Sequence, residues 1–264
     1  MQIDATTRAL LTGPSRGIGR ALAEALAARG ATLGLASRSA GELEALAARL
    51  PGSHHVLPCD VGDRTQVEQA VARFLEAAGD LDLVIANAGV AHYGPLAGMP
   101  VEEIEEMTRV NWLGTAYLVK AALPRLLERA SGHIVIVSSG AGHRAFPWAA
   151  GYGATKAAQR GFAEALRHEL AGTGVSVTTV FPGEIASSLH EGEETMPEWY
   201  RGGPDAAPAE GLARAIVAAV EADRRQVFHP PIIRVLAVFN GASPRLADAI
   251  VRRLRGDTAA PRRD

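Results

Sequence analysis

The chain has 264 residues, of which 47% are hydrophobic, 21% charged and 5% aromatic, with a formal net charge of −2. This is enough chain for one α/β domain with a full core, and without a basic excess or aromatic richness nothing points to a nucleic-acid surface. The single cysteine, Cys59, excludes an intrachain disulfide and fits a reducing compartment. Met1-Gln2-Ile3-Asp4 does not open a signal peptide, and no apolar run reaches the ~18 residues of a spanning helix, so a cytoplasmic protein is expected.

Strand and helix alternate along the chain. Arg8 to Thr12 reads as a strand, followed by the turn Gly13-Pro14-Ser15-Arg16-Gly17-Ile18-Gly19 and a helix to about Arg29 with Ile18, Leu22 and Leu26 on one face. Thr32 to Ser37, His55 to Cys59 and Leu81 to Asn87 read as the next strands, with helices over Ala40 to Leu50 and Arg64 to Ala78 between them. A long helix is expected over Glu102 to Arg129, a strand over His133 to Ser139 and a helix over Tyr152 to Ala171. Val175 to Phe181, Pro208 to Ala222 and Gln226 to His229 complete the series as strand, helix and short strand. Such alternation gives a parallel sheet with right-handed crossovers, and continuous apolar strands mean helices on both faces. There is no linker or composition break before the tail, so residues 1–264 form one domain.

Two features carry chemistry. The glycine turn lies between a strand and a helix, where amides at a helix N-terminus bind phosphate. Its spacing, glycine at 13, 17 and 19, differs from the tighter G-x-G-x-x-G fingerprint, and the absence of G-K-[ST] excludes a P-loop. The second feature is Tyr152 and Lys156, four residues apart and so on one helix face. A tyrosine phenol has a reference pKa of ~10, and an ammonium beside it favours the phenolate. A tyrosine tuned in this way exchanges a proton with a substrate oxygen. Of 27 basic residues only Lys120 and Lys156 are lysines, so a lysine here is not one of many surface cations. Ser139, at the end of an apolar strand, can deliver a hydroxyl to the same point; Ser138 competes for this role. Taken singly, Tyr152 and Lys156 also fit an amphipathic surface helix, Asn111 a polar helix face and Asn87 a turn. Asp60 alone fits a helix cap.

Taken together, Thr12-Gly13-x-x-x-Gly17-Ile18-Gly19, Asn87-Ala88-Gly89, Asn111, Ser139, Tyr152-x-x-x-Lys156 and Pro182-Gly183 resemble the short-chain dehydrogenase/reductase family. The resemblance spans residues 12 to about 187 and implies one doubly wound Rossmann-type domain with about seven parallel strands. It also implies a nicotinamide dinucleotide at the carboxyl ends of the strands. By resemblance, Tyr152 is the general acid/base, Ser139 holds the substrate oxygen, Lys156 lowers the tyrosine pKa and holds the nicotinamide ribose, and Asn111 supports a water-linked proton path to Lys156. The same resemblance gives the cofactor to Gly13, Ser15, Arg16, Gly17, Ile18 and Gly19. It adds Asp60 and Val61 beside the adenine, Asn87-Ala88-Gly89 beside the ribose, and Pro182, Gly183, Ile185 and Ser187 at the nicotinamide. Ser187 stands where the family usually has Thr.

NAD enzymes of this fold end the second strand with an acid that bonds the ribose 2′-hydroxyl. Here that strand ends in Ser37-Arg38, and Arg38 with Arg16 can clamp a 2′-phosphate, so NADP(H) is expected rather than NAD(H). His92, Tyr93, Gly142, His143, Phe146, Trp148 and a lid over about 188–207 should line a largely apolar pocket for a bulky, lipophilic ketone or alcohol. The eight histidines show no helical i,i+4 pair, so no metal site is expected. Two alternatives stand beside the oxidoreductase: a catalytically silent NADPH-binding regulatory or scaffold protein, and a nucleotide-sugar epimerase or dehydratase. The family commonly forms a homodimer or homotetramer through its two long helices. The tail, about 231–256, joins an apolar stretch from Ile232 to Phe239 to a helix from Arg245 to Arg255, and from Arg245 onward six Arg face three Asp. It reads either as a lid or interface, or as a peripheral contact with an anionic membrane surface.

Overall fold

The computed structural model describes residues 1–185 and 206–255. Each apolar run becomes a strand: β1 Arg8–Thr12, β2 Thr32–Ser37, β3 His55–Pro58, β4 Leu83–Ala86, β5 Gly132–Val137, β6 Val175–Pro182 and β7 Gln226–His229. They form one parallel sheet in the order β3-β2-β1-β4-β5-β6-β7. The order reverses between β1 and β4, and the crevice at that switch point is where open sheets of this kind bind ligands.

Successive strand residues feed opposite faces. Leu11, Leu33, Leu35, Val135 and Val137 point to one core with α1 (Gly17–Ala27), α2 (Ala40–Ala47) and α7 (Ala209–Glu221). Leu10, Leu57, Ile134 and Ile136 point to the other, with α3 (Arg64–Ala78), α5 (Gly114–Glu128) and α6 (Ala150–Glu169). Each fully buried Leu or Phe contributes about 1.5–3 kcal/mol, so these two layers supply most of the driving force. The packing is close: a Cβ on Gly34 of β2 would sit 2.6 Å from Phe74 Cδ2 of α3.

The helix expected over Glu102 to Arg129 is present but not uniform. It runs as α4 (Val101–Met107), a π-helical segment (Thr108–Leu113) and α5. Two further helices, α8 (Ile232–Ala242) and α9 (Pro244–Arg255), form the tail. Among the described residues no helix is long and apolar enough to cross a membrane.

At the amino end of the sheet five charged side chains interlock. Arg8 Nε lies 2.8 Å from Asp82 Oδ2, Arg129 Nη1 2.6 Å from Asp82 Oδ1, Arg129 Nε 3.0 Å from Asp80 Oδ2 and Arg125 Nε 2.9 Å from Asp80 Oδ1. Burial alone would push both carboxyls up, but the bonds from the arginines leave Asp80 and Asp82 below the usual carboxylate range.

Candidate active site

The glycine turn closes the carboxyl end of β1 and leaves no room for side chains. Gly13 has φ +66°, and a Cβ there would lie 2.9 Å from Ala88 Cα; at Gly19 it would lie 1.9 Å from the Gly13 carbonyl oxygen. The residue before α1, Arg16, is extended and makes no side-chain cap, so the first-turn amides of Gly17, Ile18 and Gly19 are left for a ligand at the cleft they line. Asn87 braces the turn: its Nδ2 donates to the carbonyls of Thr12 and Gly13, both at 3.0 Å, while the Asn87 and Ala88 amides donate to Thr12 Oγ1.

The turn opens into a cleft of about 400 Å³ lined by every described residue of the expected cofactor set and by Ser139, Tyr152 and Lys156. Asn111 lies behind it, and Ser187 and residues 188–205 of the expected lid fall outside the described residues. Tyr152 and Lys156 lie on α6, both buried, with Lys156 Nζ 5.7 Å from the Tyr152 ring centroid. Nζ donates to the Val137 carbonyl at 3.2 Å, and burial lowers the lysine pKa to about 7. A lysine this close to neutrality changes charge readily when an anion enters.

The two serines divide the work. Ser138 Oγ donates to the Lys156 carbonyl at 2.8 Å, which ties β5 to α6. Ser139 faces the cleft, and its Oγ accepts from the Ala141 amide at 3.1 Å. Asn111 sits in the π-helical segment, whose widened turn leaves its carbonyl to accept from Gln159 Nε2 at 2.9 Å and Thr115 Oγ1 at 2.8 Å. The Asn111 amide clamps Val90 at both backbone atoms and donates to Thr155. A Cβ on Gly89 would lie 3.2 Å from Asn111 Oδ1 and 3.5 Å from Lys156 Nζ, so these two side chains converge on the bare face of Gly89.

At the far end of the cleft, Asp63 caps α3 by accepting from the Thr65 and Gln66 amides, which leaves Asp60 to hold the Gly62 amide and line the cleft. Arg16 and Arg38 line this end too. So does Glu42, which the sequence reading missed: it lies in the first turn of α2, behind the cap Ser39, and the spacing Ser39-x-x-Glu42 is the available signal for it. The end of β2 therefore lacks a carboxylate of its own but has one from the next helix. Ser37, which shares a 3.1 Å hydroxyl contact with Ser15, and Cys59, Val90 and Val110 also line the cleft, outside the expected cofactor set.

The described residues expected on the substrate side do not line this cleft. Tyr93 lies 5.6 Å from Tyr152 and 5.7 Å from Phe146 between ring centroids, giving a buried aromatic cluster around the Tyr152 ring. His143, expected to line the substrate pocket, packs on Phe181 at 4.3 Å between ring centroids. Gly142 presses against the Lys156 carbonyl and Ser138 Oγ, and His92 pairs with Glu106 at 2.9 Å. Trp148 holds a left-handed backbone, φ 70°. The tail reaches the same region through Ile233, while Ile232, Val235, Leu236 and Val238 of α8 are exposed.

The model for the short chain dehydrogenase family matches residues 7–198. The glycine betaine reductase of Emericella nidulans is 40% identical over 184 residues, covering 69% of this chain but 14% of that much longer protein. A short chain dehydrogenase from Burkholderia cenocepacia, solved in complex with NADP, superposes with TM-score 0.81 at 29% identity over 95% of this chain and 99% of that one. One from Burkholderia phymatum, in complex with NAD, gives 0.83 at 26% identity over 93% and 96%. With the family match covering most of the chain and the same fold throughout, this protein belongs to the short-chain dehydrogenase family of oxidoreductases.

Proposed function

We propose that the chain transfers hydride between NADP(H) and a bulky, lipophilic ketone or secondary alcohol. The observation that carries this reading is the convergence of Tyr152, Lys156 and Ser139 on the cleft that the glycine turn opens into. The cleft suits a dinucleotide: Cβ atoms at Gly13 and Gly19 have no space, and uncapped amides of α1 await a pyrophosphate. The cofactor, when bound, supplies or accepts the hydride.

The remaining chemistry falls to the chain. Tyr152 Oη gives its proton to the oxygen of the carbonyl as negative charge develops there, and takes it back in the alcohol-oxidising direction. Ser139 Oγ donates a hydrogen bond to that same oxygen, which places a fixed dipole where charge appears. Lys156, charged once an anionic ligand fills the cleft, favours the phenolate of Tyr152 and holds a ribose hydroxyl. Ser138 and Asn111 keep α6 and the Gly89 turn in register, and the buried cluster of Tyr93 and Phe146 packs behind the Tyr152 ring and holds it in place.

The NADP(H) preference rests on Arg16 and Arg38, whose guanidinium forks suit a 2′-phosphate; Glu42 opposes it with one negative charge. The known structures of similar chains include both NADP and NAD complexes. Assays of NADPH and NADH against a panel of ketones and secondary alcohols test the whole reading. Net NADPH oxidation supports it, cofactor binding without turnover favours the scaffold alternative, and substrate rearrangement without net redox change favours an epimerase. Arg38→Ala should lower the NADPH preference by about tenfold or more, the value of one charge-assisted contact, whereas an NADH preference in the wild type would overturn the assignment.

Two finer points belong to the same proposal. The surface of α5 and α6 is taken as a subunit interface: a Cβ on Gly161 meets nothing within 4 Å, which leaves room for close approach of a second helix. A monomer by light scattering would count against it. For the tail, the lid or interface reading is preferred to a membrane contact, because Ile233 meets the site loops from within. Sedimentation of the protein with anionic liposomes at low salt would reverse that preference.

A further inference from the structure

Helix α8 is an unusual part of this molecule, because none of its residues is buried and four of its large aliphatic side chains are exposed. It therefore adds little to either core. Besides α9 and the strand β7, it meets the loops that carry the site. Ile233 fills the space left by two glycines on different loops: a Cβ on Gly140 would lie 3.1 Å from Ile233 Cγ2, and one on Gly183 2.8 Å from Ile233 Cδ1. Gly140 follows Ser139, and Gly183 follows Pro182 at the end of β6, so one isoleucine is wedged between the two lips of the cleft.

Two polar contacts extend the hold along the same loop. Asn240 Nδ2 donates to the His143 carbonyl at 3.2 Å, and Arg144 Nη1 donates to Asn240 Oδ1 at 3.3 Å. Arg144 also pairs with Asp248 of α9. The loop is thus gripped by the tail at Gly140, His143 and Arg144. That loop in turn orients the serine: Ser139 has an extended backbone, its Oγ accepts from the Ala141 amide, and its carbonyl accepts from the Gly142 amide at 2.9 Å.

We propose that the C-terminal helix pair positions the Ser139 hydroxyl, with Ile233 as the wedge and the Arg144–Asn240–Asp248 contacts as the clasp. The catalytic meaning rests on the reading of Ser139 as the group that binds the substrate oxygen; the mechanical link between tail and loop does not. In this role Ile233 and Arg144 touch neither substrate nor cofactor. They act through the loop, as a displacement of about 1 Å in a binding group costs up to roughly a hundredfold in rate.

The test uses full-length variants and two readouts. Hydrogen–deuterium exchange of the peptide covering residues 139–145 is compared in wild type, Ile233→Ala, Ile233→Val and Arg144→Met. Faster exchange of this peptide in Ile233→Ala and Arg144→Met is expected, with the amides of β1 and β5 unchanged and with Ile233→Val close to wild type. Reversing the pair, Arg144→Asp with Asp248→Arg, should restore part of the protection. In steady-state kinetics, kcat should fall roughly ten- to a hundredfold in Ile233→Ala while the Kd for NADPH stays within twofold, a split that general loss of stability would not give. Unchanged exchange of residues 139–145 in Ile233→Ala and Arg144→Met would overturn the proposal. So would faster exchange with no change in kcat or KM. An inactive wild type would instead count against the proposed reaction, and the exchange data would still decide the mechanical link.

Discussion

At the amino end of the sheet, Arg8, Arg125 and Arg129 saturate the carboxylates of Asp80 and Asp82. At the carboxyl end, Lys156 is more deeply buried than these acids and has one hydrogen bond, to a backbone carbonyl. Burial disfavours the charged form at both ends, and the neighbours decide the outcome. At the first, the arginines override burial and hold the acids ionised. At the second nothing compensates, and the lysine pKa falls to about 7. On the proposed reading the contrast separates stability from function: charges that complete one another fasten the strands, whereas a charge left incomplete is ready for a ligand. The glycine turn follows the same division, since its bare amides and missing Cβ atoms cost packing but make a cradle.

Substitutions at the two ends should therefore have opposite signatures. The largest effect is expected from Tyr152→Phe, which removes the proposed proton donor and leaves the ring in its aromatic cluster. Turnover should fall by roughly 10²–10⁴-fold with the melting temperature and cofactor affinity nearly unchanged. Near wild-type turnover would remove Tyr152 from the role of acid.

Asp82→Asn should do the reverse. It breaks a largely buried network and is expected to cost about 2 kcal/mol, or roughly 4–8 °C in Tm for a chain of this size, with kcat preserved. Because both acids titrate below their ordinary values, the stabilisation is present above about pH 4 and fades as the pH falls through the folded-state pKa values. Thermal melts of wild type and variant from pH 7 downward check this, and a loss of kcat without loss of Tm would blur the two ends.

The smallest effect is a proton count. A folded-state pKa near 7 for Lys156 means that the unfolded chain holds more protons between about pH 7 and 10.5, so this residue makes the free protein gain stability as the pH rises across that window. An anionic ligand in the cleft favours the ammonium, so NADP⁺ binding at pH 8 should take up a fraction of a proton. Titration calorimetry in two buffers of different ionisation enthalpy measures it, and Lys156→Met should abolish it. No uptake in the wild type would mean that Lys156 is already charged.

Much of this was legible in the sequence because it is local. Continuous apolar runs marked the strands to within a few residues, and Gly13-x-x-x-Gly17-x-Gly19 and Tyr152-x-x-x-Lys156 carry their geometry in their spacing. What was not legible depends on segments meeting across the fold. The long helix carries no sequence break at Thr108–Leu113, yet the chain inserts a π-helical turn there that turns Asn111 toward Val90 and Thr155. The choice between Ser138 and Ser139 follows from which hydroxyl meets the Lys156 carbonyl. Glu42 reaches the cleft only because α2 starts beside the end of β2, and Ile233 finds its place because two glycines from separate loops leave a gap. The packing of His143 on Phe181 likewise joins a loop to a strand far along the chain.

The most direct test follows the hydride. NADPH carrying deuterium at the transferable position of nicotinamide C4 is turned over with whichever lipophilic ketone of the panel is consumed, and the product is examined by mass spectrometry and NMR. The account predicts one deuterium on the carbinol carbon, one NADP⁺ formed per alcohol, and loss of both in Tyr152→Phe. Product without deuterium, rearranged substrate with the label still on the cofactor, or undiminished transfer in Tyr152→Phe would contradict it.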